Sequence, residues 1–267
     1  MRTVYIHLHI PKCGGSTVLD LLKRNFRQSL MTTNSILNNY HYSANQISQI
    51  IDNYPRLRCL TGHKISLDLP FEREDLQLIC FTWIRNPIDR FISHYFYHRN
   101  HTENVPQAKS MDLKEYIQWA LVDGNQKAYI NGQVNLLTKG GLEHIKSLVQ
   151  NGNLHVFPLD SMQESMYFLS ALYPNDFKEI DVVIKNVSEK YEFDYDEIYD
   201  LVLPFVQDDM YLLELANKTL NNVVKPVTNQ LESTSKSKHN KISFKKQIFG
   251  KSALTLRKMA SYFDRLA

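Results

Sequence analysis

Lys12, Gly14, Gly15, Ser16 and Thr17 stand in the run PKCGGST, between the apolar segment VYIHLHI and the helical pattern STVLDLL. A strand that enters a helix through two glycines leaves the first N–H groups of the helix without intrahelical partners, aimed at one point. The helix dipole adds positive potential there. The glycines let an anion approach the backbone, the two hydroxyls add donors, and Lys12 adds a full charge. Such a group suits a phosphate or a sulfate. It is not a Walker loop, in which the lysine follows the glycines and precedes Ser/Thr; here the lysine comes first. It is not a cysteine phosphatase loop either, because the arginine that such a loop needs beyond its cysteine is replaced by Leu19.

A second constellation lies at 85–95, RNPIDRFISHY. Arg85 closes an apolar run, and Ser93 follows eight positions later, about two turns into the next helix. An arginine can hold a phosphate with two parallel hydrogen bonds. Two anion sites on one edge point to a ligand with a phosphate at each end.

The surrounding pattern supplies the elements that bring these residues together. The segments at 4–10, 56–62, 76–84 and 154–159 read as strands, and 76–84 (LQLICFTWI) is apolar enough to be buried on both faces. Helical patterns follow 4–10, 76–84 and 154–159, with Asn86 as an N-cap and Pro87 at the first helical position. A long helical stretch at 195–220 is broken at Pro204. Strands alternating with helices predict an α/β fold, a central parallel sheet flanked by helices with a C-terminal helical extension. In such a sheet the carboxyl ends of the strands share one edge, where ligands bind.

Composition sets further bounds. The 267 residues, 43% hydrophobic and 22% charged, fit one sizeable globular domain with an appendage. No leader and no spanning segment is visible, so a cytoplasmic protein is expected. The three cysteines, Cys13, Cys59 and Cys80, form neither a disulfide framework nor a metal pattern. Residues 236–267 carry nine Lys/Arg against one Asp, about +8, which leaves about −5 for residues 1–235 of the chain's net +3. A nucleic-acid-binding core is therefore not expected. The division expected is a main domain over 1–228, a polar linker over 229–243, and a basic amphipathic helix over 244–267 suited to a membrane surface or a second subunit.

Read together, the two constellations resemble the PAPS-dependent sulfotransferases, in particular the carbohydrate branch that contains the heparan sulfate 2-O-sulfotransferases. PKCGGST is similar to that family's loop for the donor's 5′-phosphosulfate, and RNPIDRFISHY to its 3′-phosphate element. NGQVNLLTKGG (131–141), VFPLDSMQESMYFL (156–169) and DDMYLLELA (208–216) extend the resemblance to about residue 220. It implies a P-loop-like sulfotransferase fold. It also implies in-line transfer of a sulfuryl group from PAPS to an acceptor hydroxyl, with PAP as product and no metal. Lys12, Cys13, Gly14, Gly15, Ser16 and Thr17 would hold the 5′ end, Arg85 and Ser93 the 3′ end. Lys12 would stabilise the leaving oxygen.

The acceptor hydroxyl needs a base. His63, in LTGHKISLDL just past the second strand, resembles the branch's catalytic histidine in its Gly-His setting, and its ordinary pKa suits proton removal near neutrality. A carboxylate such as Glu72 or Glu74 is the rival. His7 and His9 share one strand face and are expected to pack or to hydrogen-bond near the loop; Trp83 is expected in the core. His94, His98, Arg99 and His101 are available to line an acceptor cleft. The acceptor is left open, a glycan or a hydroxylated small molecule. A nucleotide-dependent kinase and a non-catalytic nucleotide-binding module remain the alternatives. If the basic tail reads a membrane surface, the full chain floats with anionic liposomes and a chain ending at Gln230 does not; equal behaviour of the two would sink that role.

Overall fold

In the computed structural model the described residues are 1–33, 41–101, 105–185 and 193–235, with side chains described as far as 221. Five strands form one all-parallel sheet: β1 (Arg2–Leu8), β2 (Leu30–Thr32), β3 (Cys59–Gly62), β4 (Leu76–Ile84) and β5 (Leu154–Pro158), in the order β2-β3-β1-β4-β5. Helix α1 (Gly15–Phe26) follows β1, α2 (Ala44–Asn53) follows β2 and α3 (Pro87–His101) follows β4. After the short helices α4 (Gln107–Ser110) and α5 (Leu113–Ile117), α6 (Gly132–Leu137) and α7 (Gly141–Gln150) lead to β5; α8 (Met162–Leu172), α9 (Tyr195–Val202) and α10 (Gln207–Ser235) complete the chain.

The apolar run at 76–84 is buried on both faces because its alternate residues belong to different cores. Leu78, Cys80 and Ile84 join Val4, Ile6 and Leu8 of β1 on one face. Ile79, Phe81 and Trp83 join Tyr5 on the other, where α1 and α8 supply Val18, Leu21, Met166 and Leu169. A third cluster, under α3, α5 and α9, gathers Ile88, Phe91, Tyr116 and Ile198. Asn86 caps α3 as expected, its side-chain oxygen accepting from Ile88 N–H at 2.9 Å.

Several boundaries differ from the sequence reading. β1 ends at Leu8 rather than position 10, and β3 begins at Cys59 rather than 56. The three-residue β2, Leu-Met-Thr, has too little pattern to be seen in a sequence. α10 continues to Ser235, into the first part of the stretch read as a linker; the rest of that stretch and the tail at 244–267 lie outside the described residues.

The sheet holds neutral histidines. His7 is buried, hydrogen-bonded to Thr61 Oγ1 at 2.7 Å, and burial drives its pKa well below the ordinary value. His155, bonded to the Tyr173 hydroxyl at 2.9 Å, is pushed down to about 4 by burial. Because the unfolded chain binds these protons near pH 6.5 and the fold does not, their contribution is complete above 6.5 and is lost as pH falls towards the folded values. Stability measured by urea unfolding should drop between pH 6.5 and 4.5, each of the two histidines adding about 1.4 kcal/mol per pH unit to the slope. His7→Gln should flatten it, and a slope indifferent to that change would contradict the account.

Candidate functional site

The site lies where the carboxyl ends of β1, β3 and β4 meet. Between β1 and α1 the chain turns through two left-handed residues, Lys12 at φ 67° and Gly14 at φ 73°. For Lys12 this conformation costs about 1–2 kcal/mol, which the surrounding contacts must offset. Gly14 is the N-cap of α1 and gives no side-chain cap, and no acidic residue stands in the first turn. Among the described residues no side-chain cap and no first-turn acid answers the positive end of α1, which suits an anion from outside.

Gly15 is required by a neighbour rather than by its own torsion. A Cβ there would stand 1.7 Å from Nε2 of His9. The His9 ring lies against the glycine backbone on one side and stacks on His63 on the other, ring centres 3.8 Å apart. His63 follows Gly62, the residue paired with Leu8, so the end of β3 delivers it to this place. Its Nδ1 bonds the His9 carbonyl at 2.8 Å. A carbonyl only accepts, so Nδ1 carries the proton and Nε2 of the neutral ring keeps its lone pair. Burial lowers the pKa of His63, partly opposed by this hydrogen bond, and burial with His63 nearby pushes His9 down to about 3.

Lys12 and Arg85 face the same crevice. The Lys12 ammonium lies over the Tyr97 ring of α3, 4.4 Å from its centre. Burial, then the nearby Arg85 guanidinium, lowers its pKa. No carboxylate among the described residues pairs with either cation. Ser93 is buried in the second turn of α3. Thr17 is also buried, and its hydroxyl oxygen accepts from Lys185 N–H at 2.9 Å. Ser16 is exposed. The thiol of Cys13 points away from the crevice; it is buried, donates to Gln133 Oε1 at 3.4 Å, and is pushed up to about 11 by burial. Any contact of this residue with an anion would come from its backbone. Glu72 and Glu74 stand just before β4, at the amino edge of the sheet, and are remote from this site. Trp83 is in the core.

Three residues absent from the sequence reading complete the site. Gln133 has a fully buried amide: Oε1 accepts from Arg85 N–H and Nε2 donates to the Arg85 carbonyl, both at 2.9 Å. Asp209 of α10, 1% exposed, accepts from Gln133 N–H at 3.0 Å and from Val134 N–H at 2.8 Å, capping α6 from outside the helix. Arg90, also buried, donates from Nε to the Pro11 carbonyl at 3.1 Å and steadies the approach to Lys12. The segments holding Gln133 and Asp209 had carried part of the family resemblance; that was their only signal. Beside this network His94 is buried with neither ring nitrogen hydrogen-bonded, and burial and nearby Arg90 push it down to about 2. His98, one turn further, stacks on it at 6.0 Å.

Residues 2–201 match the family described as the sulfotransferase family. The chain belongs to that family. A sulfotransferase from Alicyclobacillus acidocaldarius, known from its crystal structure, aligns at 14% identity with a TM-score of 0.43, covering 81% of this chain and 96% of that one. No curated protein matches. As a member of the sulfotransferase family the chain is a transferase, and sulfuryl transfer is the general activity its family carries. Among the described residues no helix is long and apolar enough to cross a membrane.

Gly15→Ala should force the His9 ring off the loop and lower the melting temperature, while Gly15→Ala with His9→Ala recovers part of the loss. Failure of the second change to restore any stability would mean that the glycine is not there to make room for the ring.

Proposed function

We propose that this sulfotransferase moves a sulfuryl group from PAPS to a hydroxyl of a carbohydrate or glycoconjugate, as in the branch that contains the heparan sulfate 2-O-sulfotransferases, which its motifs resemble. One observation carries the reading: Lys12 and Arg85 share a crevice beside the open N-terminus of α1, with no carboxylate among the described residues paired to them. Two cations brought together in this way are compensated by an anionic ligand. Two cation-bearing loops on one edge suit a ligand with a phosphate at each end.

When bound, the donor supplies the activated sulfuryl group. The chain's residues do the rest. Backbone N–H groups from Gly14 to Thr17 and the Ser16 hydroxyl hold the 5′-phosphate. Arg85 and Ser93 hold the 3′-phosphate. Lys12 meets negative charge as it develops on the leaving oxygen, an interaction stronger in the transition state than before it. Its ammonium also donates a hydrogen bond to that oxygen. His63 takes the acceptor's proton at Nε2, since Nδ1 is committed to the His9 carbonyl. Burial of the ring favours this neutral, basic form at rest. The acceptor's proton therefore ends on His63, the sulfuryl group on the acceptor oxygen, and the S–O bond to the donor phosphate breaks.

PAP and PAPS should raise the melting temperature, whereas ATP with magnesium should not; Lys12→Ala and Arg85→Ala should each abolish the shift. No response to PAP, with both variants behaving as wild type, would refute the donor site and favour the kinase or module readings. With labelled PAPS and a glycan panel to find the acceptor, His63→Ala should lower kcat by roughly 10²–10⁴-fold. The base must be neutral, and its pKa is lowered in the fold, so kcat/KM should fall only below about pH 6.5, the ordinary imidazole value. An acid limb above 7 would exclude His63.

A further inference from the structure

We propose that Gln133 is a positioning residue that couples the two ends of the donor site, so that the 5′ loop and the 3′ element bind as one unit. The inference rests on the donor reading and goes beyond it, because Gln133 itself touches neither phosphate group in that reading.

The geometry is that of a bracket. Gln133 stands in the first turn of α6, and its side-chain amide spans two chain segments that are 72 positions apart, at Cys13 and Arg85. At residue 85 β4 has just ended, so its N–H and C=O have no ladder partner; the amide satisfies both, each at 2.9 Å. The same oxygen that receives Arg85 N–H receives the Cys13 thiol at 3.4 Å, and Cys13 lies between Lys12 and the αL residue Gly14. One planar group therefore fixes where the Arg85 side chain leaves the backbone and where the Lys12 loop turns.

The bracket is itself held rigid. Asp209 accepts from Gln133 N–H with both carboxylate oxygens at 3.0 Å, inside a buried environment. With 0% exposure at residue 133 no water competes for the amide. Other side chains cannot reproduce it. Glutamate keeps the acceptor but loses the donor to the Arg85 carbonyl; leucine fills the volume and makes neither bond; asparagine is one methylene short. A ligand with two phosphates gains affinity from two sites held at a fixed separation, because the second contact becomes intramolecular. A ligand with one phosphate gains nothing from the bracket, since either loop alone adapts to it.

Calorimetry on the full chain with PAP, adenosine 5′-monophosphate and adenosine 3′-monophosphate separates these cases. In the wild type PAP should bind far more tightly than either monophosphate. Gln133→Leu should cut that two-ended advantage by roughly tenfold or more while each monophosphate changes by less than about threefold. Gln133→Glu, which keeps the size and one acceptor, serves if the leucine variant does not fold and should show the same selective loss. A bystander role in stability would lower the melting temperature and leave the ratio of PAP to monophosphate affinity unmoved, and that result overturns the coupling. A parallel loss for all three ligands overturns it as well, by showing a general disruption of the crevice, and a loss for PAP and one monophosphate alone overturns it by assigning Gln133 to that end only. Failure of the wild type to bind PAP at all would instead refute the donor reading.

Discussion

A carboxylate that is 1% exposed must find its hydrogen bonds inside the protein, and Asp209 finds them at the start of α6. Burying a charge without such partners would cost several kcal/mol. With them, the charge sits at the positive end of a short helix that has no side-chain cap of its own. Burial nonetheless raises the carboxyl's pKa, the amide contacts opposing that effect. This one arrangement decides the rest. It sets the position of Gln133, Gln133 sets the main chain at Arg85, and the same amide receives the Cys13 thiol beside Lys12. The edge of the sheet that carries the candidate site is built from strand ends, but the chain around it is held from behind by a residue of α10.

The electrostatics of the crevice follow from what has been left out of it. Lys12, Arg85, Arg90, His94 and His98 lie near one another, and the causes that shift Lys12, His94 and His98 include no acidic group. Burial, with repulsion from the neighbouring cations, keeps the imidazoles neutral, so each offers one donor and one acceptor rather than a charge. Leaving both nitrogens of His94 without partners costs about 1–3 kcal/mol per unmet group. The crevice is therefore unfavourable in itself, a condition common where a protein is shaped for a ligand and not for its own stability.

The sequence made the frame readable where one physical rule dominated. The run at 76–84 became β4 over those same residues, because a strand buried on both faces leaves no other reading of nine apolar-rich positions. Asn86 and Pro87 announced α3. The two loops and His63 could be placed on one edge, since a parallel sheet allows no other arrangement of strand ends. What stayed hidden depends on long-range contact. The sequence places His9 near the loop, but not its ring in the space over Gly15 or its carbonyl on His63 Nδ1. Cys13 read as part of an anion loop, while its thiol turns inward to an amide. Gln133 and Asp209 are an ordinary amide and an ordinary acid in sequence, with no periodicity or motif of their own that marks them as structural.

The reach of α10 also bears on where this catalytic unit ends. The family match stops at residue 201, yet the carboxylate that caps α6 arrives eight positions later. The boundary drawn by sequence likeness and the boundary required by hydrogen bonding are thus different objects. A chain cut at the first would keep every residue of the two anion loops and His63. It would lose the buried charge that seats Gln133 between Cys13 and Arg85. The smallest piece able to hold the site in order must include at least the first turn of the last helix.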